Sequence, residues 1–353
     1  MARYDPDYFA KAVEPALKAV ANQLPAEPPA NVLALRAAVH PVLEVYYQNP
    51  PAPASIVQTR FDIAVPSTGG TVAVYRFATA EQIAAKNQPA VVYLHAGGMV
   101  CGTVPLMAAN IANQAADAGV QFWAVDYQLS PEASAPIAVE ESYAALTYLS
   151  THATELGLDN TRLAVAGASA GGGLTAGVGL LARDREFRPP LAKLIMIYPM
   201  LDDRTVQSHP PRGARHVGAN TADDDWPLRP MLMWTCEQNA LGWAAYLNVG
   251  KPGVDGPLEA AAALAQATVT NASPYAIPAR ASSLAGLPST YMDVGSLDLF
   301  LEEDAHFAAR LARDGVELDF HVFAGVPHGF DGATTTNIAQ AAMKLRHTAF
   351  NSF

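Results

Sequence analysis

The pentapeptide Gly-Ala-Ser-Ala-Gly at residues 167–171 constrains this chain more than any other feature. An apolar run at 162–166 precedes it, and a run of small and apolar residues at 172–181 follows it. A serine at a sharp turn between a strand and a helix has a strained backbone, so its neighbours must be very small. Its hydroxyl then lies at the N-terminus of the helix, where partial positive charge favours a developing oxyanion. The pattern predicts a nucleophilic Ser169, against the alternative of a surface turn rich in glycine and alanine.

A second glycine motif, His-Ala-Gly-Gly-Met at residues 95–99, follows an apolar, strand-like run at 89–94. Acyl transfer through a tetrahedral intermediate requires backbone N–H groups aimed at the oxyanion, and a glycine pair leaves those groups unobstructed. We therefore expect Gly97 and Gly98 to be oxyanion donors, with the amide of Ala170 as the third. The histidine that opens the motif is expected to orient the loop, because the base of such a site follows the nucleophile in the chain.

Two later strand-like segments each end next to a residue that can complete a catalytic triad. Asp298 comes just after the run at 289–295, and His328 lies between proline and glycine in the loop after the alternating run at 317–323. Parallel strands place the groups that follow their carboxyl ends at one edge of the sheet. The order along the chain therefore predicts Asp298 as the acid and His328 as the base, with Glu302 and Glu303 as rival acids.

Six short motifs are similar to those of the hormone-sensitive-lipase-like branch of the α/β-hydrolases, the bacterial and fungal esterases of the acetyl-esterase kind. They are HAGG at 95–98, DYQLSPE at 126–132, GASAGG at 167–172, YP at 198–199, DLFLEE at 298–303 and PHGF at 327–330. The resemblance covers about residues 60–202 and 270–335. It implies an α/β-hydrolase fold with Ser169 as nucleophile, Asp298 as acid and His328 as base, and it implies no metal and no cofactor.

Three positions depart from the family pattern. Ala96 replaces the first glycine of the loop at 95–99, Gln128 replaces an arginine, and Ala168 replaces an acidic residue before the serine. The changes at 128 and 168 remove one cation and one anion. One hypothesis is that these positions interact in the family and were neutralised together, because losing one partner alone would leave a charge without its counterpart. Independent drift is the alternative.

The alternation of strand-like and helix-like segments predicts the architecture. Strands are expected at 57–65, 70–77, 90–95, 121–126, 162–166, 192–198, 289–294 and 318–323. We expect an α/β fold with a mostly parallel, doubly wound sheet and an antiparallel edge formed by the first two strands. The catalytic core would comprise residues 56–203 and 271–353. Residues 1–55 and 204–270 would form a helical cap, since the second stretch is too long for a simple loop and contains many apolar and aromatic residues.

Composition limits the possible partners. The chain has 353 residues, of which 50% are hydrophobic, and its formal net charge of −11 argues against a nucleic-acid-binding surface. It has no uncharged apolar run of about eighteen residues, so no membrane span is expected. Its first residues lack the apolar core of a signal peptide, which favours a cytoplasmic protein. A homodimer is compatible with these features, and the two cysteines predict neither a disulfide framework nor a metal site.

The expected activity is the hydrolysis of carboxylic esters through an acyl-enzyme, on short- to medium-chain or other small-molecule esters. Met99, Cys101 and Tyr198 are expected to line the substrate pocket, which should be apolar and enclosed. An amidase or a lactonase that uses the same triad is an alternative. A non-catalytic ligand receptor of this fold is another, although such a receptor is expected to have lost the base.

Overall fold

The computed structural model of this protein describes residues 4–15, 28–208, 234–267 and 273–353. Its centre is one eight-stranded sheet with the spatial order β1-β2-β4-β3-β5-β6-β7-β8. The strands are β1 Ile56–Val65, β2 Gly70–Thr79, β3 Gln88–Leu94, β4 Gln121–Asp126, β5 Leu158–Ala168, β6 Lys193–Ile197, β7 Ser289–Gly295 and β8 Leu318–Phe323. All the expected strands are present, with ends that differ from the prediction by a few residues.

The strand pairing agrees with the connections between the strands. β1 and β2 are joined by a short turn and pair antiparallel, and β2 also pairs antiparallel with β4. The remaining pairs, from β4-β3 to β7-β8, are parallel. Helices cover both faces of the inner parallel strands, and residues 90–94 of β3 accordingly form an apolar run that is wholly buried. The expected mostly parallel, doubly wound sheet with an antiparallel edge is confirmed.

In the described part of the chain, helices of ten or more residues surround the sheet. They are α1 Val32–Tyr47, α2 Val104–Ala118, α3 Ile137–Thr151, α4 Ala170–Asp184, α5 Cys236–Tyr246, α6 Pro257–Gln266, α7 Leu301–Arg313 and α8 Asn337–Phe350. Shorter helical turns occupy Pro6–Tyr8, Phe9–Val13, Ala80–Ala84, Ala153–Leu156, Thr205–Ser208, Pro278–Arg280 and Phe330–Gly332. Side chains before several helices bind the free N–H groups of the first turn, as Asn31 does at the start of α1.

The N-terminal segment contacts two different regions. Helix α1 packs against α2 and against α5 of the insertion. The preceding residues lie elsewhere: the N–H of Asp5 donates to the carbonyl of Gly325 at 2.8 Å, and the carboxylate of Asp7 accepts from the N–H of Asn337 at 2.8 Å. The division into a core and a two-part cap stays a prediction. The packing of α1 on α5 supports it, whereas the position of residues 4–15 beside α8 does not.

Part of the predicted cap, including Trp226, Met231 and Met233, lies outside the described residues. The described helices of the insertion, α5 and α6, pack against each other, and nearly every residue of α5 is buried. Within the described ranges, none of the helices has the length and apolar character needed to cross a lipid bilayer.

Candidate functional site

Ser169 lies at the junction of β5 and α4, where the chain turns sharply. Its backbone φ is +58° and its ψ is −120°, a conformation that is rare for residues with a β-carbon. A β-carbon on Gly167 would lie 2.3 Å from the carbonyl oxygen of Gly171, and one on Gly171 would lie 2.0 Å from that of Leu94. The close approach of α4 to the sheet therefore requires the small neighbours from which the turn was predicted.

The residues expected to assist Ser169 lie beside it. His328 Nε2 is 3.0 Å from Ser169 Oγ, and His328 Nδ1 is 2.7 Å from Asp298 Oδ2. These partners assign the tautomer, because Nδ1 must carry the proton shared with the carboxylate and Nε2 can then accept from the serine hydroxyl. The other oxygen of Asp298 accepts from the N–H of Phe300 at 2.9 Å, which fixes the carboxylate. The arrangement suits a nucleophile, a base and an acid that orients the base.

The rival acids occupy other positions. Glu302 is exposed at the start of α7, whereas Glu303 is buried and faces the loop after β6. The carboxylate of Glu303 accepts from the N–H of Leu201 at 2.6 Å and also binds the hydroxyl of Thr205. Burial raises the pKa of Glu303 well above its usual value, although its hydrogen bonds oppose the rise. Among the described residues, the carboxylate bonded to the triad imidazole is that of Asp298.

The oxyanion loop, defined as residues 96–102, has its glycine pair at positions where a side chain would clash. Gly97 and Gly98 have φ values of +130° and +61°. A β-carbon on Gly97 would lie 2.0 Å from a carbonyl oxygen of the same loop, and one on Gly98 would lie 2.1 Å from the ring of Trp234. Within the described ranges, the N–H groups of Gly97, Gly98 and Ala170 donate no hydrogen bond to the protein. They are therefore available to a ligand oxygen.

The histidine at the start of the loop binds the loop and not the triad. His95 Nδ1 is 2.8 Å from the carbonyl oxygen of Ala96, and its ring stacks on Tyr127 with centroids 4.1 Å apart. The Tyr127 hydroxyl donates to the carbonyl of His95 at 2.7 Å. These contacts agree with the expected role of His95 in orienting the loop. Among the described residues, no three His, Cys, Asp or Glu side chains are grouped as metal ligands.

A cavity of about 210 Å³ opens onto Ser169 and lies between α1, α2 and α8. Of the three residues expected to line the pocket, Cys101 and Tyr198 do so. Met99 does not, because it is buried with its methyl group beside Gly173, where it fills space left by the glycines of α4. Burial raises the pKa of the Cys101 thiol to about 12, so this thiol is protonated at neutral pH and is a poor nucleophile.

One wall of the cavity is polar, and the expectation of an apolar pocket is wrong for that wall. Apolar and aromatic side chains of α1 face a polar stripe of α2, which consists of Asn110, Asn113, Gln114 and Asp117. The spacing of three and four residues puts this stripe on one face of the helix. That periodicity was present in the sequence and could have revealed the polar wall.

A buried ion network lies behind His328, and the sequence analysis did not predict it. Arg346 of α8 donates to both oxygens of Asp293 at 2.7 and 2.9 Å, and to Asp331 at 2.7 Å. Asp331 also accepts from the hydroxyl of Tyr198 at 2.9 Å, and the ring of Tyr198 packs edge-on against His328 with centroids 4.6 Å apart. Burial lowers the pKa of Arg346, but the two carboxylates more than offset this, so the pKa lies well above its usual value.

Gln128 binds a buried carboxylate that the sequence hypothesis did not include. Its backbone N–H and its side-chain amide donate to Glu141 of α3 at 2.8 and 2.5 Å. Burial raises the pKa of Glu141, and the two hydrogen bonds from Gln128 oppose the rise. Ala168 and Ala96 instead line the cavity. In this chain Gln128 therefore binds a residue other than Ala168, and the paired neutralisation of positions 128 and 168 stays a hypothesis beside independent drift.

Comparisons with known proteins identify the family to which this chain belongs. A family model described as the alpha/beta hydrolase fold matches residues 91–332. The chain is 30% identical over 244 residues to the carboxylic ester hydrolase LipN of Mycobacterium tuberculosis, a match that covers 69% of this chain and 57% of LipN. Over 107 residues, 30% of this chain and 14% of the other protein, it is 36% identical to the hormone-sensitive lipase of Mus musculus.

Solved structures extend the similarity to nearly the whole chain. A structure of a bacterial heroin esterase has a TM-score of 0.78 and 27% sequence identity, and the match covers 99% of this chain and 98% of that one. The matched region nevertheless spans only 57% of the length of LipN. From the family match, the relatives and this structural similarity, the chain belongs to the α/β-hydrolase fold family, in its hormone-sensitive-lipase-like branch.

Proposed function

We propose that this chain is a carboxylic-ester hydrolase that works through an acyl-enzyme on Ser169. The observation that carries the proposal is the chain of hydrogen bonds from Ser169 Oγ to His328 Nε2 at 3.0 Å and from His328 Nδ1 to Asp298 at 2.7 Å. The N–H groups of Gly97 and Gly98, which donate no hydrogen bond to any described residue, add support. The names of two similar proteins, the carboxylic ester hydrolase LipN and the bacterial heroin esterase, point to the same class of reaction.

In the proposed reaction, Ser169 Oγ attacks the ester carbonyl carbon while its proton passes to His328 Nε2. The N–H groups of the oxyanion loop and of Ala170 bind the negative charge that develops on the carbonyl oxygen. His328 then gives the proton to the alcohol oxygen as its bond to the acyl carbon breaks. Water, deprotonated by the same imidazole, hydrolyses the acyl-enzyme. Asp298 keeps His328 in the required tautomer and stabilises the imidazolium.

The proposed substrates are small, soluble esters with short or medium acyl chains. The cavity of about 210 Å³ is smaller than the roughly 300–1,000 Å³ typical of pockets for drug-sized ligands. Ser169 and His328 are only 3% and 6% exposed, so a substrate must enter the cavity to reach them. We expect faster hydrolysis of soluble p-nitrophenyl acetate than of long-chain triglyceride emulsions, with no rise in activity at an oil–water interface.

Substitution of the triad tests this function. Ser169→Ala and His328→Ala should each reduce kcat/KM for p-nitrophenyl acetate by about three orders of magnitude or more, and Asp298→Asn by a similar or smaller factor. Ser208→Ala, at an exposed serine, is the matched control and should keep full activity. A fluorophosphonate probe should label the peptide that contains Ser169, and mass spectrometry should find no such label after Ser169→Ala.

Different outcomes separate the parts of the proposal. Near-normal turnover by folded Ser169→Ala would overturn the nucleophile. A harmless Asp298→Asn combined with a damaging Glu303→Gln would overturn only the acid. Hydrolysis of anilides or lactones, with no turnover across an ester panel varied in acyl chain and alcohol, would favour the amidase or lactonase alternative. Ligand binding with no hydrolysis of any of these would favour a receptor.

The surroundings of the enzyme form a further part of the proposal. We infer a cytoplasmic enzyme whose partner is a small-molecule ester and not a nucleic acid, with a homodimer as the assembly to test. The net charge of −11 supports the part that concerns nucleic acid, because it repels a phosphate backbone. Sedimentation over a range of protein concentrations tests the dimer, and fractionation of the source cells tests the location.

A further inference from the structure

The oxyanion loop has a backbone that needs support from its neighbours. Gly97, Gly98, Met99 and Gly102 have φ values of +130°, +61°, +60° and +88°. Met99 carries a β-carbon, so its left-handed conformation is unfavourable and persists only where surrounding contacts fix it. The N–H groups of the glycine pair can stabilise an oxyanion only if they are already aimed at it before the reaction. The question is therefore which groups hold the second half of the loop.

Arg36 of α1 binds the backbone of this loop and of the segment next to it. Its Nε donates to the carbonyl of Val100 at 2.6 Å, and its Nη2 donates to the carbonyl of Ser130 at 2.5 Å. Both Nη atoms also pair with Glu132, at 2.7 and 2.8 Å, which fixes the plane of the guanidinium. The N–H of Ser130 donates in turn to the carbonyl of Met99 at 2.9 Å. One side chain therefore holds the loop directly and through its neighbour.

His40, one turn further along α1, binds the end of the loop. The N–H of Gly102 donates to His40 Nε2 at 3.0 Å, so that nitrogen carries no proton. An imidazolium has no acceptor atom and would place one N–H group against another. Burial lowers the pKa of His40, and the positive charge of Arg36 lowers it further, so the neutral form is favoured.

The ionisable groups near His40 come from several elements. Arg36 lies on the same helix, and its charge is paired with Glu132. The buried imidazole of His95 is close enough for its charge to interact with that of His40. The Cys101 thiol of the oxyanion loop interacts with Arg36. Helices α2 and α5, which pack against α1, carry the ionisable side chains Asp117, Cys236, Glu237 and Tyr246.

We propose that Arg36 and His40 are positioning residues that keep the oxyanion loop in its active shape, an inference that rests on the esterase function proposed above. Neither side chain lines the cavity, so both act through the loop and touch no substrate. His40 works only as a neutral acceptor. Its protonation in acid releases the N–H of Gly102 and weakens stabilisation of the oxyanion, while the substrate can still enter.

Kinetics of Arg36→Met and His40→Leu test the proposal, with Glu44→Gln on the exposed side of the same helix as the matched control. Rates are expressed per Ser169 labelled by a fluorophosphonate, so that misfolded protein does not count. We expect kcat for p-nitrophenyl acetate to fall about ten- to a hundredfold in both variants, while KM changes by less than about threefold. Glu44→Gln should keep its kcat. An unchanged kcat, or a loss confined to KM, would overturn the proposal.

His40→Gln is an independent test that remains decisive if Arg36→Met fails to fold. Glutamine offers a neutral acceptor that does not titrate, so kcat at pH 8 should stay within about threefold of that of the unsubstituted protein. Below the pKa of His40, the unsubstituted protein should lose about tenfold more activity than His40→Gln, because only the unsubstituted protein can gain a proton at position 40. Parallel pH profiles would overturn the role of His40.

Failure of this inference can be distinguished from failure of the proposed function. If the unsubstituted protein hydrolyses no ester and Ser169 takes no fluorophosphonate, the esterase assignment is wrong. If the unsubstituted protein is active and labelled, and the variants at Arg36 and His40 behave like Glu44→Gln, only the positioning role is wrong.

Discussion

The two sides of Ser169 are supported in different ways. On the base side, the ring of Tyr198 against His328 is fixed by the buried ion network around Arg346, which joins β7, α8 and the loop after β8. On the oxyanion side, the loop is fixed by the guanidinium and imidazole of α1. His328 is therefore supported by β7 and by segments that follow β8, whereas the oxyanion loop is supported by a helix that precedes the first strand.

The buried acids of α7 and His40 of α1 respond to pH in opposite directions. On the base side, burial raises the pKa values of Glu303 and Asp304 well above their usual values. On the oxyanion side, burial lowers the pKa of His40. A carboxyl with a raised pKa stabilises the fold below its unfolded pKa, and this contribution is lost as the pH rises. A histidine with a lowered pKa loses its contribution as the pH falls. The contribution of Glu303 and Asp304 should therefore be lost in alkali, and that of His40 in acid.

The largest expected effect comes from breaking the ion network on the base side. Arg346→Met leaves Asp293 and Asp331 without their cation, and Arg346 and Asp293 are both fully buried. Removing one partner of a buried ion pair typically costs about 3–5 kcal/mol, because the remaining charge is left uncompensated. We expect a loss of this size in the free energy of unfolding, measured by urea denaturation at pH 7.

Arg60→Met is the matched control for that experiment. Arg60 pairs with Asp62 at 2.7 Å on an exposed edge strand, where water screens the pair, so its loss should cost far less stability than the loss of Arg346. Equal, small losses in the two variants would contradict the idea that the base side is fixed by a buried ion network.

An effect that grows with pH should appear when the buried acid of α7 is neutralised. Asp304 is completely buried, and neither of its oxygens has a hydrogen-bond partner among the described residues. Burial raises its pKa, and the charge of Glu303 raises it further. The folded protein therefore keeps a proton that the unfolded chain releases above about pH 4, and stability falls by about 1.4 kcal/mol per pH unit up to the folded pKa.

Asp304→Asn removes this titration, so its free energy of unfolding should rise relative to that of the unsubstituted protein as the pH goes from 4 to 8. Asp314→Asn, at the end of the same helix, is the control, and the pH dependence of its stability should have the opposite sign. Hydrogen bonding to the N–H of Leu284 lowers the pKa of Asp314, so its contribution is present at neutral pH and lost in acid. A pH-independent difference for Asp304→Asn would show that this carboxyl does not titrate as the burial requires.

Sequence reasoning found the elements whose signals are local. Alternating and apolar runs marked the strands, and the glycines around Ser169 marked a turn that tolerates no side chain. Chain order placed Asp298 and His328 after adjacent strands, and the structure brings them within hydrogen-bonding distance of each other. Local pattern and topology carried this information together, because a parallel sheet collects the ends of its strands at one edge.

The contacts that were missed join residues far apart in the sequence. Arg346 is 53 positions from Asp293, and Arg36 is 64 positions from Val100, so no short motif could have linked either pair. The loss of an arginine at position 128 was visible, but its buried partner Glu141 lies on the next helix and could not be chosen from several acids by sequence alone. Long-range polar contacts depend on how helices and strands pack, and this packing cannot be read from a single sequence.

The smallest predicted effect concerns Glu141, the buried partner of Gln128. This prediction sharpens the comparison because Glu141 is an acid on the oxyanion side. Gln128 is exposed while Glu141 is buried, so an arginine at 128 can reach the carboxylate and keep part of its side chain in water. Gln128→Arg should lower the pKa of Glu141 and raise the free energy of unfolding at pH 7 by about 0.5–1 kcal/mol, the upper range of a partly exposed pair.

The sign of the pH dependence identifies the cause of that gain. In the unsubstituted protein the folded pKa of Glu141 is raised, so its contribution is present in acid and decreases as the pH rises. The advantage of Gln128→Arg should therefore be small at pH 4 and grow toward pH 7, when the carboxylate is ionised. Gln128→Met, which lacks the side-chain donor, should change stability in the opposite direction over the same range. If Gln128→Arg gained equally at both pH values, the gain would come from packing and not from a charge supplied to Glu141.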